Sequence, residues 1–130
     1  MINDIEDMWI SEEGYKCFIK RIGYSDDDNL HHRCGYVKVP ENHITNGLNY
    51  GDIPINIHGG LTYSKGGVFG FDCAHLGDTK EEWNLEAVKK ETNNLSKQLS
   101  KLTWKNIINY KLASMPNWFS ERVTISKRAR

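Results

Sequence analysis

The hydrophobic period of this chain changes once, after residue 78, and that change constrains the fold more than any other feature. From Leu85 onward, Leu85, Val88, Thr92, Leu95, Leu99 and Leu102 stand three and four apart, forming one stripe of a helix whose lysines and glutamates face water. Thr79-x-x-Glu82 is a capping-box pattern, which sets the expected helix at about 80–102. Helical character extends through Trp104, Ile108 and Leu112 and stops at Pro116. Before residue 78 the period is mostly two, and glycine pairs and Asn-rich stretches separate short runs. This order predicts an α+β fold: an antiparallel β-sheet of about five strands with the long helix packed on its apolar face, in a single domain over 1–130.

The expected strands cover 15–22 and 34–39, which form a hairpin around a turn at 25–29, then 53–58, 61–64 and 68–73. Lys65-Gly66-Gly67 is the turn between the last two, since paired glycines supply positive φ. Residues 4–10 read instead as a short acidic helix, because Ile5, Met8 and Trp9 fall at helical spacing. Residues 40–52, rich in Asn and Gly, read as an irregular loop, and 121–125 as an edge strand before a basic terminus.

Charge narrows the function. Seventeen basic residues balance 17 acidic ones, a neutrality that disfavours nucleic acid as a partner. The sum conceals a gradient: residues 1–33 carry −4, residues 34–79 carry −2 and residues 80–130 carry +6. No run is apolar enough to cross a membrane, and the first residues are acidic, so a cytoplasmic location is expected. Cys17, Cys34 and Cys73 are too few and too scattered for a disulfide framework and read as reduced, buried thiols.

All five histidines lie between residues 31 and 75. Strand parity makes this region informative. Ile53, Ile55 and Ile57 share one face of their run, as do Phe69, Phe71 and Cys73, and both faces can meet the helix. His58, Asp72 and the bare backbone of Gly70 then share the opposite face as a polar groove. The plain structural alternative is that such a face is polar merely because it is uncovered.

Three chemistries suit these residues. His58, Asp72 and His75 are candidate catalytic groups, an imidazole acting as acid or base with a carboxylate orienting it. His58, Asp72, His75 and Asp78 could supply N and O ligands to a divalent metal, although no cofactor is the simpler expectation. Cys73 or Cys34 beside a histidine could act as a nucleophile, but parity points Cys73 into the core. Asp78 has a structural reading as well, a carboxylate stabilising a helix N-terminus.

The order Cys34-Gly35-Tyr36-Val37 with Pro40 and His43, then His58-Gly59-Gly60-Leu61-Thr62-Tyr63-Ser64, then Phe69-Gly70-Phe71-Asp72-Cys73-Ala74-His75 with Gly77-Asp78, resembles a family of small uncharacterised proteins of tailed phages and prophages, over roughly residues 15–100. The turn at 64–69 is shorter here than the insert relatives carry, which implies a more open groove. The resemblance implies a phage accessory protein acting in the cytoplasm of a bacterial host, with counter-defence as its context. The leading expectation is a binder of a small polar ligand, a nucleotide-derived immune signal fitting best. His43, His58, Gly59, Gly60, Tyr63, Gly70, Asp72, His75 and Asp78 would line the site. The alternatives are a hydrolase of a nucleotide-like substrate at the same residues, and an inhibitor of a host protein. Self-association into a homo-oligomer is compatible with each.

Overall fold

The computed structural model describes residues 1–25 and 30–116. Residues 26–29 of the expected turn at 25–29, and the expected strand over 121–125, lie outside the described residues. Five strands, β1 (Ile2–Ile10), β2 (Lys16–Gly23), β3 (His31–Lys38), β4 (Tyr63–Lys65) and β5 (Val68–Asp72), form one antiparallel sheet in the order β1-β2-β3-β5-β4. Two helices follow, α1 (Leu85–Lys101) and α2 (Trp104–Ala113), and α1 packs on the sheet. The fold is α+β.

The stripe on α1 buries as its spacing demands, with Val88, Thr92, Leu95 and Leu99 fully covered against Cys17, Ile19, Val37, Phe69 and Phe71. Each such aliphatic side chain contributes roughly 1.5–3 kcal/mol. Gly35 lets the helix sit close: a Cβ there would lie 2.3 Å from the Thr92 hydroxyl. The helix starts at Leu85 rather than 80, because Asn84 is its cap and accepts from the Ala87 amide. The Thr79 hydroxyl does accept from the Glu82 amide, but it closes a separate turn. A second cap at Thr103, reciprocated by Asn106, starts α2, which buries Ile107 and leaves Trp104 and Ile108 exposed. Lys65, Gly66 and Gly67 form the expected hairpin turn, with φ of 58° and 80° at the glycines.

Two expectations fail for physical reasons. Residues 4–10 are strand, not helix. A bulge between Ile5 and Asp7 shifts the alternation by one residue, so Ile5 and Met8 share a face at the spacing of a helical turn. Residues 53–58 are extended but not a strand. Pro54 has no amide to donate, the Ile55 amide turns back to the Ile53 carbonyl, and α1 side chains bind much of the remaining backbone. Gln98 accepts from the Asn56 amide and donates to its carbonyl, while Glu91 accepts from the His58 amide. Ile53 and Ile57 still bury in the core, so the alternation reports packing without sheet pairing.

Candidate functional site

The chain between Ile57 and Trp83 builds a cluster at one end of the sheet. Gly59 and Gly60, both at positive φ, turn the chain after His58. Asp78 closes a second turn: its amide donates to the His75 carbonyl at 2.9 Å and its Oδ2 accepts from the His75 amide at 3.0 Å. The same oxygen accepts from His58 Nε2 at 2.9 Å, which places the imidazole proton on that nitrogen. The His58 ring stacks on Trp83 at 4.0 Å and meets the His75 ring edge-on at 5.6 Å. His75 rests on Gly59, where a Cβ would stand 2.0 Å from Nε2. Its Nε2 lies 3.3 Å from Asp72 Oδ1 but off the hydrogen-bond direction, so that buried nitrogen has no hydrogen-bond partner among the described residues.

His58, Gly59, His75 and Asp78 are therefore brought together, with Asp72 at the edge of the cluster. Gly60 belongs to the same turn, with open space where its side chain would be. The expected pairing of His58 with Asp72 on the outer sheet face does not form, because His58 leaves the sheet and bonds Asp78. The potential metal ligands resolve into two His–Asp pairs, and among the described residues no three His, Cys, Asp or Glu side chains converge as a metal site.

The other expected site residues lie elsewhere. His43 donates from Nε2 to the Leu99 carbonyl at 3.0 Å, at the C-terminal end of α1, about 12 Å along the helix from Glu91. It caps the helix. Tyr63 packs edge-on against Tyr36 on the outer face, and the space at Gly70 is filled by the Tyr36 ring, 2.5 Å from where a Cβ would be. Gly70 serves packing rather than ligand approach. Burial pushes the Cys34 thiol up to about 11 and the Cys73 thiol up to about 12, so neither is poised as a nucleophilic thiolate.

A cleft of about 790 Å³ opens beside the cluster, between the ends of β2 and β3 and the segment around residues 73–83. Its walls add residues that motif reading did not select: Tyr24, His31, His32, Lys80 and Trp83. Lys80 Nζ is buried there without a hydrogen-bond partner among the described residues. His32, half-buried, has its pKa held below 6.5, first by burial and also by His31 and Lys80, against the opposing pull of Asp72. The one available signal for these groups was the run His31-His32-Arg33 at a strand end. Lys80 carried none, since a lone lysine beside two glutamates reads as a solvated group. A second cleft of about 710 Å³ lies between Trp9 and α1, also touching Trp83, and is bordered by Glu12, Glu13, Glu82 and Glu91.

No family model, curated protein or solved structure matches the chain.

Proposed function

We propose that the protein binds a small anionic ligand of nucleotide type in the 790 Å³ cleft. The observation that carries this reading is Lys80, whose ammonium is buried on the cleft wall with no hydrogen-bond partner among the described residues. A buried, unsatisfied cation is costly and calls for a partner. A phosphate or similar anion would supply it, with His32 and His75 as further nitrogen groups on the same walls. Tyr24, 76% exposed at the cleft, and the Trp83 ring offer aromatic surface to a planar group. A phage protein that sequesters a nucleotide immune signal fits this chemistry. The test is incubation with a panel of cyclic and linear nucleotides and inorganic phosphate, removal of free ligand, then denaturation and chromatography. Release of an intact nucleotide, lost in Lys80→Ala, is the expected result. No retention from any member of the panel would overturn it.

A second reading, hydrolysis, has its own observation. Two imidazoles, each with a carboxylate neighbour, stand 5.6 Å apart: His58 with Asp78 at 2.9 Å and His75 with Asp72 at 3.3 Å. Such a pair can divide the acid and base roles of a displacement at phosphorus. Release of product rather than intact nucleotide, abolished in His58→Ala with folding retained, would select it.

A further inference from the structure

The outer face of the sheet, away from α1, has an organisation that ligand binding in the cleft does not use. In β1 the polarity is reversed. Its carboxylates point to the helix side and each is paired, Asp4 with Arg21, Glu6 with Arg33 and Asp7 with Lys89. Trp9 packs inward against the core, but three apolar residues of the strand point outward: Ile5 is 51% exposed, Met8 67% and Ile10 62%. Following the pairing across the sheet, Met8 stands beside Phe18, Phe18 beside Tyr36, Tyr36 beside Gly70 and Gly70 beside Tyr63. An apolar belt thus crosses all five strands, about 19 Å at ordinary strand spacing. The adjacent row runs Ile10, Lys16, Lys38, Val68, Lys65, and none of its lysines has an ion pair among the described residues. An uncovered sheet face is ordinarily polar throughout; here Met8 and Tyr63 are exposed at the two ends of the row and Phe18 is partly so, with Tyr36 and Gly70 buried between them, and exposed apolar groups rimmed by charge mark an interaction surface.

We infer that this face docks an acidic amphipathic helix of a partner protein. A helix of about 13 residues spans the belt. Its apolar stripe would lie on Met8, Phe18 and Tyr63, with carboxylates along one flank against Lys16, Lys38 and Lys65. Charge complementarity selects this occupant over a second copy, which would bring further lysines to this face where a partner helix can present carboxylates to Lys16, Lys38 and Lys65. The ring geometry selects it over single-stranded nucleic acid. Phe18 and Tyr36 stack on each other at 4.9 Å and 15°, so the rings cover each other's faces, and the most exposed belt and rim groups are aliphatic.

The test is selection of a displayed library of random peptides, about 16 residues long, on the full-length protein, followed by titration of the enriched peptides. The expected peptides carry apolar residues at i, i+3 or i+4, and i+7, with an excess of Asp and Glu. Their binding weakens about tenfold or more in Met8→Glu and in Lys16→Glu/Lys38→Glu, and is unchanged in Lys80→Ala. All three sites substituted on this face are exposed, so wild-type melting is expected and is checked first. Failure to enrich, enrichment of basic peptides, or binding indifferent to these substitutions overturns the inference. Oligothymidylate binding lost in the same variants would give the face to nucleic acid instead. A dimer abolished by Met8→Glu would give it to a second copy.

Discussion

Asp78 holds the cluster together through one oxygen, which accepts from the His58 ring and from the His75 amide. Burial alone would raise its pKa, but these two donors outweigh burial and hold the carboxyl below 3.8. A depressed carboxyl contributes stability above 3.8 that is lost as pH falls through the folded-state value. Asp78→Asn is therefore expected to be less stable at neutral pH and to show a shallower acid decline in urea melts taken below about pH 4. An unchanged acid limb would show that Asp78 does not carry it. His43 has the complementary sensitivity. Its Nε2 donates to Leu99, so Nδ1 must accept from the Thr45 hydroxyl and amide, and a second proton would abolish that acceptor. Burial lowers its pKa from 6.5, with the Leu99 bond opposing. Because the neutral form is favoured in the fold, stability is complete above 6.5 and declines as pH falls through the lower folded value. His43→Gln should shrink the stability loss between about pH 7 and pH 5, leaving the part that His32 contributes. Equal losses in variant and wild type would remove His43 from the account.

At the level of elements, the position of α1 depends on two small features. Gly35→Ala would put a Cβ 2.3 Å from Thr92 Oγ1 and 2.6 Å from Phe71 Cε1, both buried, so the helix must lift. The expected cost is about 1–3 kcal/mol by denaturant unfolding. A neutral result would mean that the helix and sheet slide apart freely at this contact. Gln98→Ala would free both backbone groups of Asn56, costing about 1–2 kcal/mol and speeding amide exchange at Asn56 while β3 stays protected. Exchange unchanged at Asn56 would place the restraint in Ile53 and Ile57 burial instead. The same elements explain what could be read from residues alone. The α1 stripe, the β2–β3 hairpin, the Gly66-Gly67 turn and the inward face of β5 follow from local period and turn chemistry. β1 did not, because a one-residue bulge imitates helical spacing, and 53–58 did not, because alternation cannot tell sheet partners from helix side chains. Within the site, the glycine-flanked histidines were legible as a group, but their partners were not. Asp78 rather than Asp72 meets His58 because a turn, not a strand face, sets that distance.

Across the whole molecule the sheet divides its work: one face buries α1, the other exposes the apolar belt, and the cleft lies at one end. A chain of this size is expected to be stable by only about 5–15 kcal/mol. Against that margin an unpartnered buried ammonium is a sizeable loss, about 1 kcal/mol or more. Lys80 is therefore expected to lower the stability of the free protein and to recover the difference when an anion binds. Lys80→Met keeps a long side chain while removing the charge. It should raise the melting temperature of the free protein by a few degrees and abolish the further rise that a bound nucleotide gives wild type. It should also raise the His32 pKa, since Lys80 is one of the groups that lower it. Histidine titration by NMR checks this independently of any ligand. If Lys80→Met instead melts lower than wild type, the ammonium has a stabilising partner in the free protein, and the cleft loses the feature that argues for an anion. A rise in melting temperature together with loss of the ligand-induced shift would place stability and binding in opposition at a single nitrogen. Independence from the outer face follows from the same measurement: Met8→Glu, on the belt, should leave both the His32 titration and the nucleotide shift at wild-type values.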